Sequence, residues 1–319
     1  MACEATAYAR AGLIGNPSDG FYGKTLSVIV RDFAAKVSLY ESPELEIVPS
    51  IQDRSKYASM ADLVEDVKKN GYYGGIRLMK AAVNQFFRFC ADRRIRLADK
   101  NFSIRYRSTI PRRLGLAGSS ALVTATMRCL LEYYDVDIPK AALPNLVLSV
   151  ETEELGISAG LQDRVIQVYE GAVFMDFDKA ILETEGHGRY EEIDPALLPN
   201  IFLAYREDLG EGSEVIHNRV RERWIQGDPE VIQAMQDFAG YAQEVRDLIV
   251  AGRGREIGPL LDENFKRRRS IYKLDPDNVE LVETAWAVGA HAKYAGSGGS
   301  IVGVYEDDAM FERLRNAMA

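Results

Sequence analysis

The chain has 319 residues, of which 47% are hydrophobic, so it can bury a substantial core in one large or two ordinary domains. Its formal net charge of −9 argues against nucleic-acid binding and means that an anionic substrate would need local positive charge. Three separated cysteines, no signal peptide and no membrane-spanning apolar run predict a cytoplasmic protein without a membrane partner.

The first half of the chain mixes predicted strands and helices. The assignments follow from alternating apolar residues for strands and from a helical apolar period for helices. Strands are predicted over 26–40, over 102–106 and from 172, and helices over 61–70, 76–94, 121–134, 140–155 and 161–169.

A polar segment over residues 178–200 contains two glycines and two prolines and is the best candidate for a domain boundary. It suggests an N-terminal domain over 1–185 and a C-terminal domain over 186–319. Strands are predicted beyond it over 201–205 and 301–305, and helices over 213–226, 229–251, 255–271 and 277–289. This order predicts an α+β fold with two lobes.

A loop of small residues lies directly before the helix predicted from residue 121. In Ile110-Pro-Arg-Arg-Leu-Gly-Leu-Ala-Gly-Ser-Ser-Ala121, glycine and serine precede the apolar helical stripe. Unpaired backbone N–H groups and the positive end of a helix dipole suit phosphate, and the Ser120 hydroxyl could bind phosphate or magnesium. An ordinary serine-capped helix has the same local pattern, so the loop alone leaves both interpretations open.

Two further segments accompany this loop, Tyr8-Ala-Arg-Ala-Gly-Leu-Ile-Gly-Asn-Pro-Ser-Asp19 and Lys293-Tyr-Ala-Gly-Ser-Gly-Gly-Ser300. In their order along the chain, the three segments resemble the motifs of the GHMP kinases, a family that includes galactokinase, homoserine kinase and mevalonate kinase. Arg10 and Asp19 flank Gly15 at the spacing of the arginine and the sugar-binding aspartate of galactokinases. The phosphate loop departs from the family pattern, since Gly115 comes one position early.

Within that family, seven segments spread from residue 7 to about 305 resemble glucuronokinases. They are Gly15-Asn-Pro-Ser-Asp19, Gly71-Tyr-Tyr-Gly-Gly75, Gly115-Leu-Ala-Gly-Ser-Ser120, Glu154-Leu-Gly-Ile157, Ala159-Gly-Leu-Gln-Asp-Arg164, Asn264-Phe-Lys-Arg-Arg-Arg269 and Gly296-Ser-Gly-Gly299. The resemblance implies an N-terminal ATP-binding lobe with a left-handed βαβ unit and a ferredoxin-like C-terminal lobe. It also implies transfer of phosphate from ATP to the anomeric oxygen of D-glucuronate, a sugar acid, giving glucuronate 1-phosphate for UDP-glucuronate synthesis.

The same resemblance assigns roles to individual residues. Asp163 matches the catalytic aspartate, and Arg10 would stabilise the charge that develops during phosphoryl transfer. Glu151 matches the magnesium-binding glutamate, and Ser120 would supply a second oxygen to Mg²⁺. The ATP phosphates would be bound by Gly115, Leu116, Ala117, Gly118, Ser119, Ser120 and Ala121. The substrate would be bound by Asn16, Asp19, Tyr73, Gly296, Ser297, Gly298 and Arg268.

Local chemistry offers alternatives to these assignments. Asp163 fits a surface charge at a helix start, Asp19 a turn residue, and Glu151 a solvated acidic helix end. Arg268 belongs to the run Lys266–Arg269, and such runs usually form solvated faces. The alternative functions are a kinase for a neutral sugar, such as galactose or arabinose, and a non-catalytic sugar sensor on the same fold. A monomer or a weak homo-oligomer is expected.

Overall fold

Two β-sheets organise the chain within residues 2–50, 53, 59, 60, 74–206 and 214–319, which the computed structural model describes. The strands are β1 (Ala2–Ile14), β2 (Lys24–Ser42), β3 (Glu46–Val48), β4 (Asn101–Ser108), β5 (Ala172–Asp176), β6 (Arg189–Ile193), β7 (Ile201–Tyr205), β8 (His291–Tyr294) and β9 (Ser300–Val304). The helices are α1 (Gly75–Asp92), α2 (Gly118–Tyr134), α3 (Leu143–Ser149), α4 (Gln162–Tyr169), α5 (Lys179–Glu185), α6 (Glu214–Ile225), α7 (Pro229–Val250), α8 (Gly258–Ile271), α9 (Pro276–Ala287) and α10 (Asp308–Ala317).

The larger sheet is built around the long strand β2. β1 pairs antiparallel with most of its length, while β4 pairs with its C-terminal half and β5 with its N-terminal end. The C-terminal half of β2 alternates as predicted, because Val37 and Leu39 are buried whereas the residues between and beside them are more exposed. The N-terminal half does not alternate, since residues 25–28 are all buried. β3 pairs parallel with β4, and α1 lies between them in the chain, so the three elements form a βαβ unit. The resemblance assigns a left-handed crossover to this unit.

The smaller sheet has the order β7-β9-β8 and is antiparallel. The helices α8 and α9 pack on it, and α7 packs on β2 of the larger sheet. One cluster of buried apolar side chains contains Leu13 and Val147 from the first half and Ile249 and Val302 from the second. The two sheets therefore share a continuous core, and the α+β class predicted from the sequence is confirmed.

Most of the predicted elements that fall on described residues are present, with differences at a few positions. The helix predicted over 140–155 consists of α3 followed by a π-helical turn at Val150–Glu154. The strands β1, β3, β6 and β8 and the helix α5 were not predicted. The helix predicted over 61–70 lies outside the described residues.

The segment 178–200 contains regular structure. Asp178 caps α5 by accepting hydrogen bonds from the N–H groups of Ala180 and Ile181. β6 completes the larger sheet by pairing with β5, and β7 begins the smaller sheet. The division at residue 185/186 stays a prediction, and the strand pairing favours a later position, between β6 and β7. Within the described part of the chain, no helix is long and apolar enough to cross a membrane.

Candidate active site

The small-residue loop opens α2 without a side-chain cap. Ala117, with φ of 61°, occupies the N-cap position, and Ser120 donates its hydroxyl hydrogen back to the Ala117 carbonyl, 3.1 Å away. The Gln167 amide donates to the same carbonyl at 2.9 Å and holds the turn. The alternative of an ordinary serine-capped helix is therefore wrong. The first-turn N–H groups of α2 lack a side-chain acceptor among the described residues, which is the arrangement that binds phosphate.

Arg10 connects this loop with two other parts of the chain. It lies on β1, is buried, and donates from Nε to Oδ1 of Asp163 at 2.6 Å. Its Nη1 donates to the Gly115 carbonyl at 2.5 Å and to the Ala295 carbonyl at 3.2 Å. The predicted base, the phosphate loop and the C-terminal glycine-rich loop thus meet at one guanidinium group.

The glycine-rich loop, residues 296–300, packs directly on the phosphate loop. A Cβ atom on Gly296 would overlap the Gly115 carbonyl oxygen, so the approach of the two backbones requires glycine. Ser300 Oγ donates to the Leu114 carbonyl at 2.5 Å, and Asn278 Oδ1 accepts from the Gly299 N–H at 2.5 Å. Backbone contact and the Ser300 side chain therefore fix the second loop against the first, and Asn278 fixes it to α9.

Asp19 lies near the predicted base Asp163. Its carboxylate accepts from the backbone N–H of Gln162 at 3.3 Å, and a Cβ atom on Gly160 would overlap it. Burial, together with the negative charge of Asp163, raises the pKa of Asp19 to about 6. A carboxylate in this position can accept hydrogen bonds from neighbouring sugar hydroxyls next to the group that would remove a proton.

Glu151 is the one carboxylate of the π-helical turn that faces the site. It is buried and accepts a hydrogen bond from Nη2 of Arg164. The neighbouring carboxylates of Glu153 and Glu154 instead contact side chains of α1. A solvated acidic helix end therefore does not describe Glu151.

Magnesium would find few protein ligands at this site. Among the described residues, no group of three or more His, Cys, Asp or Glu side chains is arranged to hold a metal ion. Mg²⁺ commonly takes one or two carboxylates together with phosphate oxygens and water. The predicted ligands are of this type, a hydroxyl at Ser120 and a carboxylate at Glu151, and in the structure they contact the Ala117 carbonyl and Arg164, respectively.

The basic run on α8 divides between surface and interior. Three of its residues form ion pairs with surface carboxylates: Lys266 with Glu263, Arg267 with Asp237, and Arg269 with Glu283. Arg268 is 3% exposed and donates to the carbonyls of Gly296 at 2.9 Å and Ser297 at 3.3 Å. The solvated-face interpretation therefore holds for three residues of the run and is wrong for Arg268.

Four other basic residues that could bind a substrate carboxylate are already paired or lie at the surface. Lys24 forms an ion pair with Asp176 at 3.2 Å, and Arg164 is engaged by Glu151. Arg112 and Arg113 are exposed on the phosphate loop. Arg268 is buried and pairs with no carboxylate among the described residues, so it is the best placed of these residues to bind a substrate carboxylate.

Several polar residues of the site carried no role in the sequence interpretation. Asn264 on α8 accepts from the Gly15 N–H at 2.8 Å and donates to the Asn16 carbonyl at 3.4 Å, which fixes the substrate motif. Lys293 is 1% exposed and donates to Oδ1 of Asn16 at 2.6 Å. The sequence did contain a signal for Asn264, because it is a polar residue at a helix position where a buried apolar residue is expected. Tyr73, predicted to bind substrate, lies outside the described residues.

Several known proteins are similar to this chain in sequence or in structure. The family model for the GHMP kinases N terminal domain matches residues 77–171. Glucuronokinase 1 of Arabidopsis thaliana is 41% identical over 307 residues, covering 94% of this chain and 84% of that protein. Probable glucuronokinase 2 of the same plant is 42% identical over 306 residues, covering 94% and 83%. The solved structure of Streptococcus pneumoniae phosphomevalonate kinase in complex with phosphomevalonate and AMPPNP superimposes with a TM-score of 0.75 at 16% identity, covering 100% of this chain and 96% of that one.

Proposed function

Because the chain belongs to the GHMP kinase family, we propose that it is an ATP-dependent sugar 1-kinase that phosphorylates D-glucuronate at the anomeric oxygen. It is a phosphotransferase with an alcohol group as acceptor. The product, glucuronate 1-phosphate, would feed synthesis of UDP-glucuronate in the cytoplasm. Both Arabidopsis relatives are called glucuronokinases, and each matches the chain over nearly its whole length.

The observation that carries the proposal is the set of contacts made by Arg10. Phosphoryl transfer requires the phosphates, the acceptor hydroxyl and a proton acceptor to be in one place. The Arg10 guanidinium touches Asp163, the phosphate loop and the glycine-rich loop at distances of 2.5 to 3.2 Å. These contacts support a single centre for transfer.

In the proposed reaction, the anomeric hydroxyl loses its proton to Asp163 as its oxygen forms a bond to the γ-phosphorus of ATP. The bond from that phosphorus to the β,γ-bridging oxygen breaks, and ADP leaves. Arg10 stabilises negative charge on the transferred group, and the first-turn N–H groups of α2 bind the phosphates. Magnesium, held by Ser120 and Glu151, would neutralise phosphate charge.

The charge balance of the site supports an anionic acceptor. Arg268 and Lys293 are both buried, and neither forms an ion pair with a carboxylate among the described residues. Buried cations without acidic partners are costly, and a bound carboxylate reduces that cost. Asp19 would bind sugar hydroxyls, while Arg268 would attract the carboxylate of the uronic acid.

The test is ADP release by the purified chain with Mg-ATP and a panel of glucuronate, galacturonate, galactose, arabinose and mevalonate. Turnover with glucuronate and at most slow turnover with the others is expected. Turnover confined to galactose or arabinose would keep the kinase and overturn the uronate assignment. No ADP release with any acceptor, from protein that binds sugar, would favour the sugar sensor.

A further inference from the structure

Lys293 is a buried lysine whose partners are oxygen atoms of the substrate motif and of its own strand. Its Nζ lies 2.6 Å from the Gly12 carbonyl, 2.6 Å from Asn16 Oδ1 and 2.8 Å from the Tyr294 carbonyl. Burial, together with the nearby positive charges of Arg268 and Arg10, lowers the pKa of Lys293 well below that of an ordinary lysine, whereas three oxygen acceptors around Nζ favour the ammonium form. Burying a lysine in such surroundings is costly, so we expect it to have a specific role.

The three contacts determine which way the Asn16 amide faces. Two partners of Lys293 are backbone carbonyls, which only accept hydrogen bonds, so its ammonium has one N–H left for Asn16. A lysine ammonium has donors only, and it therefore selects the oxygen of the Asn16 amide. The amide nitrogen then faces away from Lys293, and within the described ranges it makes no hydrogen bond.

The backbone of Asn16 is fixed by Asn264, and Gly12 lies close to its side chain. Asn264 donates to the Asn16 carbonyl at 3.4 Å, and a Cβ atom on Gly12 would come within 3.1 Å of Asn16 Cγ. Asn16 is 2% exposed and stands three residues before Asp19, the proposed sugar-binding carboxylate. Its amide nitrogen is thus an oriented donor in the substrate motif.

We infer that Lys293 is a positioning residue that fixes the Asn16 amide so that its N–H groups bind the carboxylate of the sugar acid. Asn16 then determines specificity, because it donates where an aspartate would repel the substrate. This inference rests on the proposed function and adds to it the residues that distinguish a uronic acid from the neutral sugar.

The substitution Asn16→Asp gives the most direct test. It keeps the shape of the side chain and gives Lys293 a carboxylate partner, so the melting temperature should be unchanged or higher. It also replaces the N–H donor with a negative oxygen. The KM for glucuronate should rise about tenfold or more with a small change in kcat, and the preference for glucuronate over D-glucose should fall by at least as much.

Lys293→Met should raise the KM for glucuronate in the same way. Lys293→Arg should raise this KM less than Lys293→Met does. Lys266→Met, which removes a lysine paired with Glu263 on the surface of α8, is the matched control and should leave both constants unchanged. If Lys293→Met fails to fold, Asn16→Asp decides alone. A folded Asn16→Asp protein with wild-type KM and wild-type preference would overturn the inference.

The two proposals fail in different ways. Wild-type protein that turns over only a neutral sugar contradicts the proposed function. Because a neutral sugar has no carboxylate, that result also removes the role inferred for Asn16 and Lys293. If the wild-type protein turns over glucuronate, an unchanged KM and preference in Asn16→Asp overturn the inference and leave the proposed function standing.

Discussion

Nε of Arg10 lies 2.6 Å from Oδ1 of Asp163, although the two residues stand 153 positions apart in the chain. The contact joins β1 of the sheet to the start of α4. Since Arg10 also binds the carbonyls of Gly115 and Ala295, the orientation of Asp163 is coupled to both loops. A carboxylate held in this way is oriented before the substrate arrives.

Asp163→Asn should lower kcat by two to four orders of magnitude, since about that much is typical of general-base catalysis. The asparagine oxygen can still accept from Arg10, so the KM for the sugar and the melting temperature should change little. Steady-state kinetics and thermal unfolding measure these quantities. A variant that keeps more than a tenth of the wild-type kcat would exclude Asp163 as the base.

Asp19 predicts a pH dependence of sugar binding. Its pKa is raised to about 6, so the carboxyl group is ionised above that pH and protonated below it. Protonation removes the negative acceptor for sugar hydroxyls, and the KM should therefore rise up to about tenfold per pH unit below 6. The KM for glucuronate measured from pH 5 to 8 checks this, with Asp19→Asn as comparison. A parallel rise in that variant would assign the effect to another group.

Gly296→Ala should reduce activity by at least about tenfold, because its Cβ atom would force the glycine-rich loop away from Gly115 and disturb Arg10. Gly240→Ala on α7 is the matched control, since its Cβ atom meets nothing within 4 Å. The control should retain full activity and be slightly more stable, as alanine favours helix over glycine. Equal activity in both variants would show that the close contact of the loops is not needed.

Glu151→Gln should raise the magnesium concentration for half-maximal velocity by about tenfold, because a carboxylate ligand is lost. Glu154→Gln, on the same π-helical turn but paired with Arg88, is the control and should not shift it. Velocity is measured against free Mg²⁺ at fixed ATP. Identical magnesium curves for the two variants would remove Glu151 from the metal site.

Arg268→Ala should raise the KM for glucuronate more than the KM for any neutral sugar that is turned over, by about tenfold or more. Arg269→Ala removes the next residue of the run, which pairs with Glu283 on the surface, and should leave the KM unchanged. The ratio of the two KM values is the decisive quantity. An equal loss for charged and neutral sugars would mean that Arg268 only supports the glycine-rich loop.

Much of the fold could be predicted because its signals are local. The alternation in β2 and the helical stripe of α2 are visible in short windows, and both elements are present. The strand β8, with four residues, is too short for its alternation to be distinguished from a loop. β6 could not be assigned to the larger sheet, since pairing with β5 depends on tertiary contacts.

The parts of the site that belong to spaced sequence motifs could be predicted. Contacts between residues that are distant in the sequence could not. Glycine and serine spacing pointed to the phosphate loop. The pairs Lys293 with Asn16 and Asn264 with Gly15 span more than 240 residues, and no sequence period indicates such contacts. The sequence narrowed the search for a buried basic residue at the site to the run Lys266–Arg269. Only the rotation of α8 about its axis, which the sequence does not show, turns Arg268 rather than its neighbours towards the glycine-rich loop.

The most direct measurement is the position of the phosphate in the product made from D-glucuronate and Mg-ATP, read by phosphorus–proton coupling in NMR spectra. We expect one equivalent of ADP per sugar and a phosphorus resonance coupled to the anomeric proton. A phosphate coupled to another ring proton, or no phosphorylated sugar at all, would contradict the proposed function.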